Sequence, residues 1–575
     1  MQEESVGSCS KYPTQNKTKG WKIPMKKILS LVLALTMLLC AFAPAMAEGA
    51  LEGKLVILHT NDIHGRAVAD GESFGYARIA MLKKNLQAQG AEVILMDAGD
   101  FSQGTPLVNL GYGKNAVEFM NVTGYDIATL GNHEFDWGSD NMEQNMANAQ
   151  FAVVCANLTR AADGTLVFPA NKIFDTVIGK VGVFGLDTPE TMTKTHPDKV
   201  KGITFAQGEE LFKVAEAQVA ELEAAGCDLI VCLGHLGQDD ESTGNRSIDL
   251  LEKVTGIDLF IDAHSHTTID GGEMNGETLR VSTGSYSNAI GYVVAEKVTE
   301  EDVTSIALNA GLWTIAENDE AAMMLGNGIA IDEEVAAIVN TINDAVEAEL
   351  SATFAKTEVL LDGNRAPGVR TQETNLGDFA ADAILWAAKQ ALGEDKVDAA
   401  LTNGGGIRAS IEIGDVTMKD MKTVFPFGNE VATLTITGAE LLEALEAATF
   451  STPDAIGAFP QVAGIEFSID TTVAYENGEQ YPSSTYYAPA KPGSRVTIAT
   501  VGGEAWAADA EYVIATNDFT AAGGDTYGVF AYPFTQTGYK TGVALEDALV
   551  NYTQTVLEGV IGEQYAEPAG RITIK

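Results

Sequence analysis

Thr129-Leu-Gly-Asn-His-Glu-Phe-Asp136 is the stretch from which the rest of the chain can be read. The approach to it, Asp126-Ile-Ala-Thr-Leu130, is mostly apolar and ends at a glycine, the pattern of a short buried strand that stops at a turn. Beyond the turn, Asn132, His133 and Asp136 are too dense a polar set to be packing. Adjacent residues point to different sides, so Asn132 can offer an amide oxygen to a metal while His133 faces substrate. Asp136 stands three residues after His133, within one turn of it, where it can fix the imidazole tautomer and raise its pKa. Alone, this loop also reads as a histidine capping a helix. Four further strand ends decide between the readings.

From Lys54 onward, apolar runs alternate with helical patterns, which predicts an α/β layered domain. Lys54–His59 runs into Asn61-Asp62-Ile-His64-Gly65, and Glu92–Met96 into Asp97-Ala-Gly-Asp100-Phe-Ser-Gln-Gly104. Asp228–Leu233 runs into Gly234-His235, and Asp258–Asp262 into Ala263-His264-Ser-His266. Residues two apart in an extended segment share a side, so Asp62 with His64, and His264 with His266, are each expected to present a pair of ligands to one point. The chain has seven histidines, five of which sit at these tips; His59 and His196 read as structural or exposed. Carboxylates, imidazoles and an amide oxygen suit zinc, manganese or a similar divalent ion better than calcium, which takes oxygen alone. Asp100 reads as the carboxylate shared by a two-metal centre.

A chain of 575 residues is too long for one compact core and predicts two domains. Its formal charge of -44 repels polymeric nucleic acid and anionic membranes, so an anionic substrate must meet local positive charge. Residues 25–47 have a basic start, an apolar run and an Ala-Met-Ala exit, the layout of a cleaved secretory signal rather than of a stable membrane anchor. Export to the periplasm, envelope or medium is therefore expected, with a mature start near Glu48 and residues 1–24 read as an upstream extension. Without residues 1–47 the charge becomes -48, because that segment holds six lysines and two glutamates. Cys155, Cys227 and Cys232 then remain, an odd number that leaves room for one bridge and needs none.

Apolar positions at helical spacing with acidic residues between them predict an amphipathic helix over 330–352, placed as a bridge between domains. After it, Gly363-Asn-Arg365-Ala-Pro-Gly-Val-Arg370 puts two arginines in a loop ahead of a helix expected from Asp378 to Gln390. Asn403-Gly-Gly-Gly-Ile-Arg408 follows a strand expected at Asp398–Thr402; its glycines permit close backbone approach, and Arg408 can fork onto a phosphate or carboxylate.

The ordered set of tips resembles the calcineurin-like metallophosphoesterases, in the branch of secreted 5'-nucleotidases and UDP-sugar hydrolases. The resemblance spans nearly the whole mature chain. It implies a four-layer α/β metallophosphoesterase domain over 52–325 and an α/β nucleotide-binding domain over 353–575, joined by the 330–352 helix. It implies two divalent ions, one on Asp62, His64, Asp100 and His266, the other on Asp100, Asn132, His235 and His264, with His133 and Asp136 as the catalytic dyad. In the second domain it implies that Phe427 and Phe519 sandwich a base, that Asn403, Asn429 and Asp525 bind ribose or base, and that Arg365, Arg370 and Arg408 hold the terminal phosphate. Ala263 and His266 stand where many members carry glycine and an amide. The implied activity is hydrolysis of nucleoside 5'-monophosphates, extending to di- and triphosphates or UDP-sugars. Two other readings stay open: a 2',3'-cyclic-nucleotide 2'-phosphodiesterase with 3'-nucleotidase activity, and an inactive surface module that keeps the fold.

Overall fold

The computed structural model describes residues 51–300, 303–315, 330–482 and 484–575. The expected signal segment and its cleavage site lie outside the described residues.

The first half builds two six-stranded sheets. In one, strand Leu55–Thr60 pairs in parallel with Glu92–Asp97, which pairs in parallel with Ile127–Ala128. In the other, Leu229–His235 lies between Gly179–Asp187 and Leu259–Asp262, both parallel to it. These strands are near-continuous apolar runs because both faces are buried. Leu55, Ile57, Ile94, Leu229, Val231, Leu259 and Ile261 fill the space between the sheets. Outer faces are covered by helices: Gly75–Ala88, Lys114–Thr123 and Glu333–Leu350 on one sheet, Glu209–Ala224 and Ser247–Leu251 on the other. The result is the expected four layers, helix, sheet, sheet, helix.

The strand entering the opening stretch is shorter than expected: only Ile127–Ala128 stays in the ladder, and Asn132–Phe135 forms a 3₁₀ turn. The bridge helix runs from Glu333 to Leu350, with Asp332 accepting from the N–H groups of Glu334 and Val335 at its start. Its buried face, Val335, Ala336, Val339, Val346 and Leu350, packs into the core of the first half.

The second half centres on a five-stranded sheet in which Ala399–Asn403 lies parallel to Glu511–Asn517. Helix Asn375–Leu392 covers it with Leu376, Phe379, Ala380, Ala383 and Ile384. This helix begins three residues before the expected Asp378, since Thr374 caps it by accepting from Gly377 N–H at 3.1 Å. The glycine-rich turn and the Phe519 segment leave from the carboxyl ends of the two parallel strands, where open α/β sheets bind ligands. Cys155, Cys227 and Cys232 are all free thiols.

Candidate active site

The opening stretch is the brace of the site. Glu134 is buried, and its carboxylate accepts from the N–H groups of Gly131, Asp100, Phe101 and Ser102 at 2.6–3.0 Å, so one side chain shapes both loops. Gly131 allows the closest approach: a Cβ there would lie 2.3 Å from Asp100 Oδ1 and 2.6 Å from the His235 ring. Five of the tip residues, Asp62, His64, Asp100, His264 and His266, have φ between 47° and 71°. Left-handed backbone at non-glycine residues is strained, and its concentration here marks a functional site. It also corrects the reason given for convergence. The tips are not extended, so period-two alternation does not operate, and His264 and His266 part to different clusters.

Two clusters result, Asp62 with His64 and His266, and Asp100 with His235 and His264, each with its ligand atoms within 4.8 Å of one another. Asp100 Oδ2 stands between them, 3.8 Å from His64 Nε2 and 3.2 Å from His235 Nε2. Backbone carbonyls fix two tautomers: His64 Nδ1 donates to Gln103 O at 3.1 Å and His235 Nδ1 to Ala98 O at 2.8 Å. Each Nε2 is left with its lone pair facing the site. Burial holds His64 and His266 well below the ordinary imidazole range, which keeps them neutral. His64 Nε2 and His266 Nε2 face each other at 3.0 Å. Asn132 Oδ1 is buried with no hydrogen-bond partner, and His235 Nε2 is buried with only the Asp100 carboxylate beside it. Orphaned acceptors aimed at a common point, beside carboxylates, fit a pair of divalent cations of the zinc or manganese kind.

Beside the clusters, His133 Nδ1 donates to Asp136 Oδ2 at 2.7 Å, and the backbone N–H of His133 donates to Asp100 Oδ1 at 2.9 Å. Burial disfavours charge on His133, but Asp100 and Asp136 outweigh it and raise its pKa. The His133 ring stacks on Phe427 of the second half, with centroids 5.5 Å apart and planes at 22°. Phe427 in turn lies under Arg408, 5.6 Å from the guanidinium carbon. Arg370 is crowded by Arg365 and Arg408; burial and those two charges push its pKa down to about 9, a cluster short of negative charge. Arg365 reaches back to the first half, donating to Asp239 at 2.7 Å.

Every residue expected at the site lines one cleft between the halves except Asp62, His64 and His235, which lie directly behind it in the clusters. Asn403 bonds Asp525 at 2.9 Å, and both face the cleft with Asn429 and Phe519. Two expectations change in part. Gly404 is needed for packing, because a Cβ on it would meet Val369 O at 1.9 Å, whereas Gly405 and Gly406 line the cleft. His196, read as structural or exposed, lines the cleft 3.7 Å from Asp518, while His59 is a core residue. Sequence reasoning missed Lys194, Glu241 and Glu190 altogether. Lys194 sits between Glu241 at 3.1 Å and Asp525 at 3.6 Å, and Glu190 bonds His264.

Residues 55–268 match the family described as calcineurin-like phosphoesterase, and residues 336–532 match the 5'-nucleotidase C-terminal domain. Fold and site thus define a metal-dependent phosphoesterase of the calcineurin-like class. Among curated relatives, the chain is 33% identical to a trifunctional nucleotide phosphoesterase of Bacillus subtilis over 83% of its own length, but spans only 32% of that protein. It is 28% identical to the 5'-nucleotidase of Vibrio cholerae over 91% of its length and 95% of the relative's. The crystal structure of a 5'-nucleotidase precursor from Thermus thermophilus superposes with a TM-score of 0.73 at 26% identity, covering 91% of this chain and 99% of that one. The chain belongs to the 5'-nucleotidase family that joins these two domains.

Proposed function

We propose that the chain hydrolyses nucleoside 5'-monophosphates to nucleoside and phosphate. One observation supports this above the others: the metal-suited clusters of the first half and the three arginines and two phenylalanines of the second half face the same cleft. In this reading residues 52–325 carry the metals, 353–575 bind the nucleotide, and the 330–352 helix joins them.

Asp62, His64, Asp100 and His266 would hold one cation, and Asp100, Asn132, His235 and His264 the other. Two such ions, when bound, would supply Lewis-acid charge and activate water. Arg365, Arg370 and Arg408 neutralise and orient the phosphate, supplying local positive charge on an otherwise acidic chain. Asp136 accepts from His133 Nδ1 and, with Asp100, favours the imidazolium, whose second N–H, at Nε2, donates to the oxygen where charge grows in the transition state. Phe427 and Phe519 offer π faces to the base, and Asn403, Asn429 and Asp525 offer polar contacts to ribose or base. On this reading the ions are zinc, manganese or a similar divalent metal.

A cavity of about 180 Å³ opens behind the arginines, lined also by Tyr286, Asn364 and Ser410. It supports acceptance of phosphates carrying a further group, as in UDP-sugars or nucleoside di- and triphosphates. Export is also part of the proposal: among the described residues no helix is long and apolar enough to cross a membrane, and the 25–47 segment has the signal layout.

Phosphate release measured over 5'-AMP, 3'-AMP, 2',3'-cyclic AMP and UDP-glucose with added divalent metal tests the reading. Preference for 5'-AMP is expected. A preference for the cyclic or 3' substrates favours the alternative phosphodiesterase, and no turnover of any favours a binding module.

A further inference from the structure

The histidines of the two clusters are not all held alike. His64 and His235 give their outer nitrogen to backbone carbonyls, whereas His264 gives Nε2 to the carboxylate of Glu190, at 2.9 Å. Glu190 is 0% exposed. Its other oxygen, Oε1, accepts from the hydroxyl of Tyr486 at 3.3 Å, and Tyr486 belongs to the second half of the chain. Lys194 Nζ lies 5.7 Å from the centre of the Tyr486 ring. Four residues beyond Glu190 in sequence, Lys194 also approaches Asp525, whose backbone N–H donates to Thr193 O at 2.9 Å. The segment 190–194 therefore touches a metal-suited histidine at one end and the nucleotide-facing half along its length.

We infer that Glu190 and Tyr486 are positioning residues that couple the seating of the second half to the cation site formed by Asp100, His235 and His264. With Nε2 engaged, Nδ1 is the nitrogen His264 has left for a cation. A carboxylate on the far nitrogen fixes ring orientation and makes the imidazole a stronger donor, and loss of such a partner costs roughly 10- to 100-fold in metal affinity or activity. Tyr486 supplies one of the hydrogen bonds that orient this buried carboxylate, and it does so only while the second half is seated. The two clusters should then respond differently: the one containing His264 senses the second half, and the one containing His64 does not. The inference rests on the assignment of these clusters as cation sites.

Zinc affinity of each of the two sites, measured by stepwise competition with a chelating dye, tests it together with steady-state kinetics on AMP. Glu190→Gln should weaken one ion by roughly 10- to 100-fold and leave the other within about twofold. Glu190→Asp, which keeps the charge, should recover part of that loss. Tyr486→Phe, which preserves the buried ring, should weaken the same single ion several-fold and lower kcat, with KM for AMP unchanged. Unaltered affinity at both sites in Tyr486→Phe, equal weakening of both ions, or a rise in KM alone would overturn the coupling. Asp100→Asn separates the two levels of the argument. If it too leaves both ions in place, the cation assignment itself fails; if it strips metal while Glu190→Gln and Tyr486→Phe do not, only the coupling fails.

Discussion

Replacing Phe519 separates recognition of the base from the chemistry. The ring is 7% exposed, faces the cleft, and packs so closely on Gly524 that a Cβ there would come within 2.3 Å of it. Alanine would leave a hole and cost about 3–5 kcal/mol of stability, which would confuse the readout. Leucine keeps most of the apolar volume and removes the π face. Stacking on a base is worth about 1–3 kcal/mol, and at about 1.4 kcal/mol per tenfold that is a rise in KM for AMP of roughly five- to 150-fold. Ribose 5-phosphate has no base and should be hydrolysed by Phe519→Leu within about twofold of the parent rate. Steady-state kinetics on both substrates, with the thermal midpoint as a check on folding, gives the answer. A KM for AMP within twofold of the parent, or equal losses on both substrates, would mean that Phe519 is a core residue and that the base is bound elsewhere.

Asp100→Asn removes the charge placed between the two clusters, so bound metal measured by elemental analysis and activity should fall together; two ions per chain with full activity would refute the shared ligand. His133→Ala should stay folded and metal-loaded while kcat drops ~10²-fold or more, the usual effect of losing a transition-state donor, and a near-normal kcat would remove it from the dyad. His59 is buried with neither ring nitrogen partnered, and burial pushes its pKa down to about 3. Between its ordinary value near 6.5 and that value the unfolded chain takes up a proton that the fold refuses, so stability falls with falling pH by up to about 1.4 kcal/mol per unit. His59→Leu should flatten this slope in urea unfolding compared at pH 7 and pH 4.5; identical slopes in the two proteins would contradict it.

The tips were legible because a buried parallel strand leaves polar residues nowhere to go but its end. Asp62, Asp100, Asn132, His235 and His264 could therefore be assigned to one place without knowing how the strands pair. Their backbone could not be read so: left-handed backbone is uncommon at any one non-glycine residue, even at aspartate and histidine where it is enriched, so five at one site are not announced by sequence. Glu190 and Tyr486 were illegible for a different reason. Their hydrogen bond spans 296 positions, and neither stands in a segment with any periodic or compositional mark. His196 was misjudged because its neighbour Thr195 ties the 191–196 segment over the site, donating to Asn132 O at 3.0 Å. The two phenylalanines were legible as cleft residues, but the partner of Phe427 was not, since His133 comes to it across the junction of the halves.

That last contact constrains how substrate enters. With Phe427 stacked on His133, the ring that is to hold a base covers the imidazole that is to meet a phosphoryl group. If Phe427 is to stack on a base through the face that now meets His133, as the proposed reading requires, the two rings must part. The contacts that resist parting include polar ties from Arg365 to Asp239, Lys194 to Asp525, Tyr486 to Glu190 and Asn109 to the Pro426 carbonyl, beside apolar packing of Met418 on the core of the first half. Of the two ion pairs among these, Arg365–Asp239 is the more exposed, so on the proposed reading a phosphate at Arg365 would compete with Asp239 for the guanidinium.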